Sequence, residues 1–328
     1  MRALLLAVAV AASVLVATSL YNSSFLQTDD VEVAFNKWCM SQGKSYGNND
    51  EKAYRKGVFA NNMTEVKAHS EKNSSYRKAL NKYADLTAQE FKTQYLGLNK
   101  KSSKKSVSAV KLNVNAPDSK DWSSTDAVTA VKDQGQCGSC WAFSTTGAME
   151  GLYYLNNMTQ RSFSEQQLMD CSSAQGNMSC NGGLMDNAFD YLEENGLTDE
   201  SNYPYTAMDG TCSSYKITDG FKISNYVDLP NSQTALVNAV AERPVSIAIN
   251  ANPIQLYFDG IFDDWSCGDQ IDHGVLAVGY GSEDGQDFFK VKNSWGADWG
   301  ESGYFRLARR SYGEGICGCT TNASYPTA

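Results

Sequence analysis

Apolar residues run almost unbroken from Ala3 to Ala17, behind the positive charge of Arg2 and ahead of the small residues Thr18 and Ser19. A run of that length with those flanks reads as a secretory signal over residues 1–19, too short for a bilayer anchor. Between about Asp50 and Ser70 the pattern turns helical. Glu51, Arg55 and Phe59 recur four apart on one face, where Glu51 and Arg55 can pair. From Cys140 the apolar Phe143, Ala148, Met149, Leu152 and Leu155 again follow a helical period, with Ser139 as N-cap. Ser164-Glu-Gln-Gln167 reads as a capping box before Leu168 and Met169, and a further helix is expected from about Gly183 to Asn195, stopped by Gly196. Past Gly220 the texture becomes that of strands: residues 221–227, 245–250, 274–279, 288–292 and 304–307. A helical half followed by a β-rich half predicts an α+β protein of two lobes with a cleft between them.

Charge adds a division that periodicity does not show. The 328 residues carry a net charge of −9, yet residues 20–115 hold 16 basic against 9 acidic side chains, and residues 116–328 hold 11 against 28. Two parts of opposite sign are expected to bind each other, and nucleic acid is a poor partner for the acidic one. They meet in Asn99-Lys-Lys-Ser-Ser-Lys-Lys-Ser-Val, a polar basic run without periodicity. It reads as an exposed linker over about 99–115, open to cleavage. No later apolar stretch is long enough to span a membrane. Nine cysteines in an exported chain imply disulfides.

The candidate chemistry gathers around Cys140. Its thiol begins a helix, at the positive end of the dipole, and no carboxylate follows before Glu150. Thiolate is therefore expected, since such positions with a cationic neighbour bring cysteine to roughly pH 3.5–7.5. The chain has two histidines, His69 and His273, and only His273 lies downstream as a partner to take the thiol proton. Asn293 can fix the tautomer of that imidazole without adding charge. Gln134 can place a side-chain donor beside the Cys140 N–H, an oxyanion hole whose single donors are worth about 3 kcal/mol. Asp272 adjoins His273 but should point to the opposite face of a strand, toward the surface or a substrate. Cys137-x-x-Cys140 could suggest a zinc or redox pair, but no second such pair with histidine spacing follows. Neither a metal nor another cofactor is expected.

The stretch around Cys140, with His273 lying 133 residues on and Asn293 153, resembles the papain family of cysteine proteases, cathepsin L-like group, over nearly all of the chain after the signal. The resemblance implies a helical lobe and a β-barrel-like lobe, with Cys140 as nucleophile, His273 as acid and base, Asn293 orienting it, Gln134 as oxyanion donor and Trp295 shielding the His–Asn bond. Residues 20–115 would be a mainly helical inhibitory prosegment: Glu51, Arg55, Phe59 and Asn62 match its helical motif, with Val66 and Ser70 as departures. Ala79, Asn81, Tyr83 and Asp85 match a second motif, with Ala79 and Tyr83 as departures. Residues 116–328 would be the mature peptidase, a monomer. The family pattern suggests bridges Cys137–Cys180, Cys171–Cys212 and Cys267–Cys317, with Cys319 spare and the choice between Cys317 and Cys319 open.

For the substrate, Gly182 and Gly183 offer bare backbone to an extended peptide. The corresponding S2 pocket would be lined by Leu184, Met185, Ala248, Ile271 and Gly274 with Asn322 at its floor, favouring Leu, Val, Phe or Tyr at P2. Glycosylation sequons begin at Asn22, Asn62, Asn73, Asn157, Asn177 and Asn322. Asn157 and Asn177 are the favoured sites, and Asn322 is expected bare. The expected activity is endoproteolysis by a secreted zymogen that activates itself at acid pH in a lysosome, vacuole or outside the cell, with proteins, peptides, its own prosegment and cystatin-like inhibitors as partners. Peptide ligation by the same acyl-enzyme, or a binding protein on the same fold, are the alternatives.

Overall fold

The computed structural model describes residues 30–99, 116–310, 313 and 315–328. The signal region, most of the basic linker and Asn22 lie outside them. Helix α1 covers residues 30–42. Helix α2 (Asn49–Ser70) is capped by Asn48, whose side chain accepts from Glu51 N–H. Glu51 accepts from Gly47 N–H, while Arg55 reaches over to Glu90 at 3.0 Å and the Asp85 carbonyl. The expected pairing of Glu51 with Arg55 is thus replaced by a tie between helices. Strand β1 (Tyr76–Lys78) follows, then α3 (Ala88–Tyr95), started by a reciprocal capping box of Thr87 and Glu90. Phe35, Trp38, Phe59 and Ala84 form a small core of this N-terminal part, and Leu256 from the main body is buried in it.

In the main body β2 (Lys120–Asp121) precedes α4 (Cys140–Asn157), α5 (Glu165–Cys171) and α6 (Met185–Glu194). Helix α4 is buried on all sides from Cys140 to Leu152. Gly147 lets it approach the sheet: a Cβ there would lie 2.7 Å from Leu276. Helix α5 keeps only half of the expected capping box. Ser164 accepts from Gln167 N–H, but the Gln167 side chain turns to Tyr191, Gly196 and Thr198.

The remaining elements are β3 (Asn225–Asp228), α7 (Gln233–Glu242), β4 (Val245–Ile249), β5 (Tyr257–Phe262), β6 (His273–Glu283), β7 (Gln286–Lys292), β8 (Tyr304–Ala308) and β9 (Ala323–Thr327). One sheet runs β1-β5-β8-β7-β6-β4-β9-β3, with β2 beside β6. The expected barrel-like lobe is an open sheet, its ends β1 and β3 unpaired with each other. Because β1 occupies the outer edge of β5, that edge is satisfied without closure. Among the described residues no helix is long and apolar enough to cross a membrane.

Candidate active site

Cys140 is the first residue of α4 and fully buried. Ser139 occupies the N-cap position but makes no capping bond. Its hydroxyl meets Tyr205 OH at 2.7 Å, and Tyr205 donates to the Gln134 carbonyl at 2.6 Å. His273 opens β6 opposite Ile249, so the sheet carries the imidazole up to the helix. Contact between the lobes is close here: a Cβ on Gly274 would lie 3.3 Å from the Cys140 carbonyl, and the N–H groups of Gly274, Gly97 and Trp141 address the sulfur.

His273 Nε2 lies 2.8 Å from Asn293 Oδ1, which also accepts from Ser294 N–H. Nε2 is thereby the protonated nitrogen, and Nδ1 is buried with its lone pair free of any hydrogen bond. Trp295 stacks on the imidazole at 4.6 Å and is itself enclosed by Trp299, Phe91 and Tyr83. Gln134 is held by Ser294, whose backbone carbonyl accepts from Gln134 N–H and whose hydroxyl donates to Oε1 at 2.6 Å. Ser294 was not singled out from sequence, although its place between Asn293 and Trp295 could have flagged it. Behind Asn293 a small cavity is lined by Lys132, Glu150, Glu165 and Lys292. There the half-buried Lys132 bonds the buried Glu165 at 2.7 Å and Glu150 at 3.2 Å.

Residues 95–99 of the N-terminal part run through the cleft. Gln134 Nε2 donates to the Tyr95 carbonyl at 2.9 Å, Gly183 N–H to the Gly97 carbonyl at 3.0 Å, and Asn99 N–H to the Gly183 carbonyl at 2.9 Å. Leu98 pairs with Gly183 in the parallel sense. Glycine is required on both sides: a Cβ on Gly97 would lie 2.1 Å from the Gly138 carbonyl, and one on Gly183 2.6 Å from Trp141.

This plug changes the electrostatics. Burial pushes the Cys140 thiol up to about 11, against the three N–H groups around it, and lowers His273 to about 4, against its bond to Asn293. Both shifts favour the neutral forms, which departs from the thiolate expected from the dipole alone: desolvation by burial outweighs it. Asp272 makes no bond to the imidazole, as strand alternation foresaw, and of the two surroundings expected for it takes the substrate side, buried against the segment that fills the cleft. It accepts from Ala251 N–H, lies 3.2 Å from Lys92 Nζ, and its carbonyl takes Leu98 N–H. Burial raises its pKa.

Of the S2 candidates, Met185, Ala248, Gly274 and Asn322 come together. Met185 Sδ sits 3.1 Å from the position of a Gly274 Cβ, Ala248 faces Gly274 across the ladder, and Ala248 N–H bonds the Asn322 carbonyl. Leu184 precedes Met185 at the start of α6, and Ile271 packs against Gly318. The Asn322 amide nitrogen is buried and without a partner. Asn177 is corrected as a glycan site: it is buried, donating to Ser172 and accepting from Leu184 N–H. Asn157 is exposed. Cysteines pair as Cys137–Cys180, Cys171–Cys212 and Cys267–Cys317, and Cys319 is free and buried. Among the described residues no group of three or more His, Cys, Asp or Glu is placed to hold a metal ion.

A buried thiol at the head of α4 and an imidazole–amide pair carried by the sheet beside it, with the chain's own N-terminal segment laid along the site, are the arrangement of a cysteine protease precursor. The chain belongs to the papain family: residues 116–327 match the papain family cysteine protease model, and residues 35–91 match the cathepsin propeptide inhibitor domain. It is 42% identical to cathepsin L of Sarcophaga peregrina, over 91% of this chain and 94% of that one. It is 45% identical to cysteine proteinase RD21A of Arabidopsis thaliana, over 90% of this chain but 66% of that protein, just short of two thirds of its length. Among solved structures, digestive procathepsin L 3 of Tenebrio molitor larval midgut superposes with a TM-score of 0.82 at 40% identity, covering 91% of this chain and 99% of that one. The stem bromelain precursor gives 0.84 at 36%, covering 91% and 99%.

Proposed function

We propose that the chain is the zymogen of a cysteine endopeptidase, with residues 20–115 removed to free a mature enzyme from residue 116 onward. The observation that carries this is the polypeptide already lying in the cleft, with one carbonyl on Gln134 and its backbone paired with Gly183. A substrate there would meet the same donors. Cys140 attacks the scissile carbonyl carbon while His273 Nδ1 takes the thiol proton. Gln134 Nε2 and the Cys140 N–H hold the oxyanion, and the protonated imidazole then protonates the leaving amine. Water, deprotonated by His273, releases the acid product. Asn293 keeps the ring in its tautomer, and Trp295 excludes water from that bond.

Apolar P2 side chains suit Met185, Ala248 and Gly274, with the unpartnered Asn322 amide able to serve a tyrosine hydroxyl. Prosegment binding is supported by ion pairs in which its lysines and arginine meet carboxylates of the main body: Lys82 with Asp133 and Asp298, Lys92 with Asp272, and Arg77 with Asp259. Asp264, held low by its bonds to Ser266 with Lys78 and Lys72 of the prosegment nearby, loses that support on protonation, which suits activation in an acidic lysosome or vacuole, or after secretion. Acid-treated precursor should cleave an apolar-P2 peptide and react at Cys140 with a thiol-directed epoxide, and Cys140→Ala should do neither. Activity surviving in Cys140→Ala would defeat the reading.

A further inference from the structure

The prosegment also completes the sheet. Strand β1 lies antiparallel on β5, Tyr76 opposite Gly260, Arg77 opposite Asp259 and Lys78 opposite Tyr257. When the prosegment departs, Ile261 N–H loses the Ser75 carbonyl at 2.9 Å, the Ile261 carbonyl loses the Ser75 hydroxyl at 2.7 Å, and the Leu256 carbonyl loses Ala79 N–H. Side chains are stripped as well. The Tyr76 ring packs 4.6 Å from Phe262, and the Arg77 guanidinium lies 5.2 Å from the Phe258 ring while its Nε donates to Asp259 at 2.6 Å. Gly260, at φ +87°, is open to a neighbouring backbone: a Cβ there would lie 2.4 Å from the Ser75 carbonyl. Leu256 loses its cover of Phe35, Trp38 and Phe59.

An unpaired edge with apolar side chains is a template for another strand. We propose that, in the processed enzyme, β5 is an exosite that binds extended basic segments of protein substrates by strand addition, reading an aromatic residue followed by arginine and lysine. This rests on the reading that the prosegment is removed on activation. Charge selects the occupant. Asp259 faces the incoming strand and Asp264 lies just beyond β5 around a cavity shared with Lys72 and Lys78, whereas Asp263 is already paired with Arg310, so a basic segment is attracted. A second copy of the strongly acidic body is repelled.

The test uses enzyme processed from the full precursor, treated with a thiol-directed epoxide at Cys140, and a fluorescein-labelled peptide of residues 73–80. Anisotropy should show saturable binding, weakened by about tenfold or more, some 1.4 kcal/mol, when the peptide carries Arg77→Glu. In untreated enzyme, a protein substrate containing this segment should be cleaved faster than its Arg77→Glu counterpart. Equal binding of the two peptides, binding that only untreated enzyme shows, or self-association of the enzyme that the peptide cannot reverse would overturn the proposal. Failure to take up the epoxide or to cleave a short apolar-P2 peptide strikes the catalytic reading instead, and the peptide titration is then read on the same unlabelled protein.

Discussion

Cys140 and His273, the proposed reactive pair, are both shifted toward their neutral forms by burial. Burial raises the thiol to about 11 and lowers the imidazole to about 4, which favours the neutral pair over thiolate–imidazolium at neutral pH. Alkylation of the precursor by iodoacetamide should therefore rise only toward pH 11, whereas the processed enzyme should react fast at neutrality, its midpoint several units lower. Coincident profiles would refute this. Gln134 clasps the Tyr95 carbonyl and is the proposed oxyanion donor. Gln134→Ala should lower kcat by about a hundredfold with KM little changed, and should also weaken inhibition by a peptide of residues 88–99. An unchanged kcat would remove it from the oxyanion hole. The residue types of this site were legible because thiol, imidazole and amides stand in recognisable spacing. Their protonation was not, since desolvation depends on which segment lies over Cys140. The burial of Asn177 was equally hidden, because a sequon looks the same inside a fold as outside.

Helix α3 is the element of the N-terminal part set against the candidate site, and we propose that it carries the inhibition. It sets Phe91 edge-on to Trp295 at 5.0 Å and ends at the Tyr95 carbonyl on Gln134. Phe91→Ala should destabilise the precursor by roughly 3–5 kcal/mol and hasten its processing, while leaving the processed enzyme unaltered. Urea titration and a processing time course check both, and a stability loss without faster processing would assign Phe91 to folding alone. Helix α2 was read close to its observed bounds, and α4 from its observed first residue. Strand β5 was missed because Asp259-Gly260 breaks its apolar pattern, and β9 because it contains Pro326. Both are specified by their neighbours in the sheet more than by their own residues.

Across the whole molecule, opposite charges on the two parts are realised as ion pairs at their junction. Burial alone would raise Glu90, but its bonds to Thr87 and the charge of Arg55 more than offset this. Asp264 is lowered by its bonds to Ser266, aided by Lys78 and Lys72 of the prosegment. For a carboxylate with a lowered folded pKa, the stability is present above the unfolded value and lost as pH falls through the folded one. Asp272, raised by burial, works the other way. Precursor stability should therefore decline below about pH 4, and Glu90→Gln should flatten that decline. Thermal unfolding from pH 7 to 3 measures it, and parallel curves for the two proteins would exclude Glu90. Charge division between the parts was visible in composition, but which lysine meets which aspartate was not.

The contact between Gly97 and Cys140 has a consequence for storage. What Gly97 offers the sulfur is an N–H, the hydrogen end of a peptide unit, whereas hydrolysis needs the carbon end. A stopper of this kind is not consumed by the vessel it closes. On the proposed zymogen reading, a precursor closed in this way is expected to keep its safeguard intact during storage, with a dormancy set by how often the stopper lifts.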